Sequence, residues 1–117
     1  MQFMTMLKSS EKAGQPPADF YDKMGEYIGK MAESGKVVLM GGLMPTEAGA
    51  QVRGRDGGIV VSHGPFTEAT EVVGGYAILQ ADSLDEVIAS VEEFVQLHID
   101  NWPGWTGVSE IRQIAEF

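Results

Sequence analysis

The chain has 117 residues, 44% of them apolar and 21% charged, with 17 acidic residues against 8 basic ones, a formal net charge of −9 and no cysteine. Such a length and apolar share fit one packed domain, here residues 1–117, and exclude wholesale disorder. The lack of cysteine excludes disulfides, thiolate nucleophiles and zinc–thiolate centres, and an acidic chain whose few bases are scattered is a poor match for nucleic acid. No apolar run approaches the ~20 residues that span a bilayer. The opening MQFMTMLKSSEK puts its lysines after the apolar residues, the reverse of a secretory leader, so a cytoplasmic protein with no membrane partner is expected.

Residues 2–8 alternate, with Phe3, Thr5 and Leu7 on one side and Met4 and Met6 on the other, which predicts a strand. Gly14, Pro16 and Pro17 make residues 9–18 a loop, and Asp19 adds favourable negative charge to the first turn of a helix. Phe20, Met24, Tyr27 and Met31 then form one helical stripe that stops at Gly35. Gly25 and Gly29 within it each cost ~1 kcal/mol relative to alanine; a close approach of helix to sheet would account for them. Residues 37–40 read as a buried strand ending at Gly41-Gly42, followed by a turn over 43–49 that contains Pro45. Residues 50–55 and 58–63 flank Asp56-Gly57, a strong hairpin signal. Residues 64–74 read as irregular, and 76–81 as a strand. Ser83 and Glu86 make a capping box for a second helix with Leu84, Val87, Ile88, Val91, Phe94 and Val95 as its core stripe. That pattern breaks at Asn101-Trp102-Pro103-Gly104, and residues 108–114 alternate weakly, as a last strand would.

The order β-α-β-β-β-β-α-β describes an α+β, ferredoxin-like sandwich: an antiparallel sheet with two helices on one face and a hairpin inserted between the β-α-β halves. The other sheet face is then bare. A bare apolar face calls for a cover, and the commonest cover is a second copy about a two-fold axis, so a homodimer is expected.

The segment from Arg55 through His63-Gly64-Pro65-Phe66 and Glu71-Val72-Val73 to Gly74-Gly75-Tyr76 resembles the signature of the YCII-related, or DGPF-domain, family. There a hairpin strand runs into Asp-Gly-Pro-Phe, then a Glu-rich link, then Gly-Gly-Tyr. The Gly41-Gly42-Leu43-Met44-Pro45 segment and the Ser83-Leu84-Asp85-Glu86 helix start also match. The resemblance implies a dimeric α/β barrel in which two ferredoxin-like sheets face each other. It also implies, for some members, a link to extracytoplasmic-function sigma factors. His63 stands where the family has its leading aspartate, so the His–Asp pair suspected of catalysis in YCII-type relatives does not carry over.

His63 leaves a strand just before Gly64-Pro65, where functional side chains often sit, and a histidine titrates near neutrality without special tuning. It serves equally as a turn residue capping a carbonyl. Glu68 and Glu71 lie in the following link, either as a carboxylate pair for acid/base work or as two solvated acids. Arg53 and Arg55 share one face of the hairpin, able to hold an anion bidentately or to pair on the surface with Glu47 or Asp56. Phe66 joins them as a ligand contact. Tyr76 opens a strand, either donating into a cleft or half-buried at its rim. His98 follows the second stripe, where positive charge suits a helix end. Trp102 and Trp105, around a Pro-Gly turn, wall a pocket or pack a dimer seam, the seam being favoured. The seven methionines read as core filler. No His-x-x-x-His, nucleotide fingerprint or G-x-S-x-G elbow is present, so neither metal nor cofactor is expected.

Two functions follow. One is a small-molecule enzyme in a dimer cleft, with His63 moving a proton and Arg53, Glu71 and Tyr76 positioning an anionic or carbonyl-bearing substrate. The other is a non-catalytic binding or regulatory module that docks a protein through its acidic surface and its tryptophans, a sigma factor being the partner that the family resemblance implies.

Overall fold

The structure, a computed structural model, describes residues 1–116. In chain order it has β1 (Gln2–Ser9), α1 (Ala18–Glu33), β2 (Val37–Gly42), β3 (Ala50–Arg55), β4 (Gly58–His63), β5 (Val72–Gln80), α2 (Leu84–Asn101) and β6 (Gly107–Gln113). The order of strands and helices is the expected one. Four strands form one antiparallel sheet in the order β2-β5-β1-β6, and β3 and β4 pair separately as a two-stranded arm.

Alternation along β1 fixes which side is core. Phe3 pairs with Leu79 and Thr5 with Ala77, and all four are buried toward the helices. Tyr27 and Met31 of α1 and Val87 and Val91 of α2 complete this core. The start of α2 is built as the capping rule demands. Ser83 Oγ accepts from the Glu86 amide at 3.2 Å, while Glu86 Oε2 accepts from the Asp82 amide at 3.0 Å, one residue earlier than a strict capping box.

Four local expectations need correction. Residues 72 and 73 are not irregular: Val72 and Val73 pair with Ser9 and Lys8, and a bulge beside Leu7 and Lys8 absorbs Gly74. β2 is not buried. It is the edge of the sheet, and Val38 and Leu39 are 53% and 52% exposed. Short 3-10 turns, Glu11–Ala13 and Thr46–Ala48, punctuate what read as plain loops. Finally, Gly25 and Gly29 do not press α1 onto the sheet, since a Cβ at either would meet nothing within 4 Å. Helix α1 leans on α2 and stands off the sheet beside it.

The chain is open for its size. It exposes 8050 Å², where a compact monomer of this mass exposes about 6,200 Å². Its radius of gyration is 16.0 Å, against about 13 Å for a compact domain. The arm is one source, because every residue of β3 and β4 is exposed. The second is the sheet face opposite the helices, which carries Met4, Met6 and Ile78 with no layer over it.

Candidate functional site

The gap under α1 is a cavity of about 760 Å³. Thr5, Leu7 and Ala77 of the sheet form its floor, Phe20, Met24 and Tyr27 of α1 its roof, and Phe94 and His98 of α2 one end, closed off by Trp102 and Trp105. The stripe of α1 that the sequence reads as core therefore lines a hollow as much as it fills a core.

His98 is the polar centre of that end. It is 3% exposed and packed among aromatic rings: Phe20 at 4.9 Å, Phe94 at 4.7 Å and Trp105 at 4.6 Å between centroids. Its Nδ1 lies 2.9 Å from the Phe94 carbonyl oxygen. A carbonyl only accepts, so Nδ1 carries the proton and the neutral ring presents a bare lone pair at Nε2. That nitrogen has no hydrogen-bond partner among the described residues, and His98 is one of the residues lining the cavity. Burial pushes the imidazole below its ordinary 6.5, partly offset by the Phe94 carbonyl. The expectation of a positive charge completing the helix end is thus corrected, for His98 is neutral at pH 7. Tyr27 is also neutral: burial first, and Glu93 second, push its hydroxyl up to about 12, and it donates to the Ser90 carbonyl at 3.2 Å.

The tryptophans are corrected as well. Trp105 is buried within its own chain, and Trp102 packs on Phe20 at 5.4 Å, so both wall this pocket and neither is a free seam. A helical spacing of four puts Phe94 and His98 on one side of α2, and Trp102, the residue that ends the helix, follows four further on.

The residues expected to carry chemistry are dispersed. His63 ends β4 opposite Ala50, is exposed, and lines neither the large cavity nor the smaller one beside Phe66. It shares its arm face with the Val52–Val61 pair, while Arg53 and Arg55 lie on the other face. Arg55 reaches Asp56 at 3.9 Å, a surface contact worth ~0–1 kcal/mol. Glu68 and Glu71 are exposed. Tyr76 borders the large cavity; its ring lies over Gly41, where a Cβ would sit 2.8 Å from the Tyr76 hydroxyl.

Phe66 belongs to a latch. Its amide donates to Thr46 Oγ1 at 3.0 Å, and Thr46 gives its own hydroxyl and amide to the Glu11 carboxylate at 2.5 and 2.8 Å. Those two bonds hold the Glu11 carboxyl below the usual carboxylate range. Gly64 lets the strand pass, because a Cβ there would lie 1.6 Å from the Thr46 carbonyl oxygen. The Gly64-Pro65-Phe66 motif thus ties the base of the arm to the loop after β1, beside a smaller cavity of about 250 Å³. No cluster of three or more metal-ligating side chains occurs among the described residues, and no helix is long and apolar enough to cross a membrane.

A protein of Rhizobium meliloti (strain 1021), described as uncharacterised, is 33% identical over 86 residues, 74% of this chain and 65% of the relative. The chain thus matches just under two thirds of that relative's length. Among solved structures, 5-chloro-2-hydroxyhydroquinone dehydrochlorinase from Burkholderia phenoliruptrix AC1100, in complex with 2,5-dihydroxybenzoquinone, aligns over 100% of this chain and 96% of its own. Its identity is 16% and its TM-score 0.46, values that bear on neither substrate nor reaction. The family model of the YCII-related domain matches residues 1–117, and the chain therefore belongs to the YCII-related domain family.

Proposed function

We propose that the protein is a cytoplasmic small-molecule enzyme, active as a homodimer, in which an uncharged histidine exchanges a proton with a ligand held between helices and sheet. One arrangement carries this reading: His98 lines a cavity of about 760 Å³ while the Phe94 carbonyl anchors Nδ1 at 2.9 Å, which leaves Nε2 as the ring nitrogen free to meet a ligand. A cavity of that size lies in the ~300–1,000 Å³ range of small-molecule sites. A base needs a fixed ring, the right tautomer and a free lone pair. Aromatic packing supplies the first and the Phe94 carbonyl the second and third.

His63 supports a second reading, because the arm it stands on has one apolar face, with Val52, Val61 and Ile59, left open to solvent. A partner chain lying on that face would build a cleft around His63, with Arg53, Arg55, Glu68 and Glu71 near its rim. A docking module linked to transcription has lost its main support, since the tryptophans it relied on are engaged within the chain.

A ligand screen read by thermal shift, followed by turnover assays on the hits, separates these. His98→Gln abolishing the response while His63→Gln leaves it intact is the expected result. The opposite pattern moves the site to the arm, and loss in neither variant removes proton transfer by histidine altogether.

A further inference from the structure

We infer that the His98 cavity takes an uncharged, largely apolar ligand that offers one O–H or N–H to Nε2, and that it rejects both anions and cations. The inference rests on the cavity being the functional site and names the chemistry it selects. Four observations lead there.

None of the 25 residues around the cavity is Asp, Glu, Lys or Arg, in a chain of which 21% is charged. An ion moved from water into such a lining finds no counter-charge, and an unpaired buried ion costs several kcal/mol. Anions meet a further barrier, because the chain carries a net charge of −9.

Aromatic walls can attract cations, yet the site disfavours one already placed there. His98 is the potential cation in the midst of these rings, and its surroundings favour the neutral form. Phe20, Phe94 and Trp102 also present edges to faces within the cluster, with interplanar angles of 65° to 72° about Phe20 and His98. Part of the aromatic surface that could attract a cation is therefore engaged within the cluster.

The polar demand on the ligand follows from the tautomer. With Nδ1–H given to Phe94, Nε2 only accepts. A ligand hydroxyl or N–H aimed at it satisfies both groups. A ligand offering only acceptors would leave two lone pairs facing each other in an apolar site, at a cost of about 1–3 kcal/mol.

The test uses three probes of one shape: 1-naphthol, 1-naphthoate and 1-naphthylmethylammonium. Each is titrated into the full-length protein while the imidazole nitrogens are followed by NMR, with His63→Gln assigning the His98 signals. The proposal expects 1-naphthol to shift His98 Nε2 and to bind at least tenfold more tightly than either ion. An ion that binds as tightly as 1-naphthol, with His98 still shifted, overturns the ligand class and leaves the cavity as the site. Three probes that all leave His98 unmoved overturn the cavity reading together with the class.

Discussion

The histidine that stands exposed at the end of a strand is not the one that the cavity holds. His63 looked catalytic because it leaves a strand at a motif, and sequence can see that. His98 looked structural because its partners come from distant segments: Phe20 is 78 positions away, brought close only when α1 packs beside α2. Phe94 was legible as part of a helical stripe, but the segments that meet it and His98 were not. The buried imidazole makes a sign-definite pH prediction. The unfolded chain takes up a proton as pH falls through about 6.5, whereas folded His98 resists until lower pH. Stability is therefore complete well above the unfolded value and declines as pH falls through about 6.5 toward the lower folded value. The urea midpoint should fall over that window in the wild type and in His63→Gln, and stay level in His98→Leu, whatever its absolute stability. A wild-type midpoint that does not move would mean His98 is not buried neutral.

Elements with strong local signals were legible. The capping box at Ser83, the Asp56-Gly57 turn and the alternation of β1 each rest on neighbours a few residues apart, and each appears where the spacing requires. Asp56 and Gly57 both adopt positive φ, as the two central residues of a tight hairpin turn do. Legibility failed where a third segment decided the outcome. Gly74-Gly75 read as a break, yet the strand runs through it because β1 accommodates Gly74 as a bulge. The Gly64-Pro65-Phe66 motif read as the start of an irregular stretch after a strand, and it fastens the arm to Thr46 and Glu11. Gly64→Ala tests that role. Its Cβ would collide with backbone rather than with a yielding side chain, so a loss of roughly 2 kcal/mol or more in chemical denaturation is expected. A neutral substitution would mean that the latch is not tight.

At the scale of the whole molecule, one chain leaves too much apolar surface open. Val52 and Ile59 on the arm are 69% and 76% exposed, and Leu39 and Val108 at the two edges of the sheet are 52% and 50% exposed. The excess over a compact monomer, about 1,800 Å², exceeds the ~800 Å² that each partner buries in an ordinary stable interface. The sequence anticipated a bare sheet face from topology alone, but not that the hairpin would stand clear as a second open surface. The proposed homodimer would cover both. Val52→Asp combined with Ile59→Asp should shift the elution volume in size-exclusion chromatography toward that of a monomer and leave far-UV circular dichroism unchanged. A wild-type chain that already runs as a monomer at tens of micromolar would contradict the dimer.

The central claim is that His98 offers a bare, uncharged Nε2 to an internal cavity, and the imidazole 15N spectrum of the unliganded protein tests it most directly. The account predicts that His98 at pH 7 carries its proton on Nδ1, gives an unprotonated Nε2 resonance and titrates below 6.5. A His98 protonated on Nε2, or one that titrates like a free histidine, would contradict it.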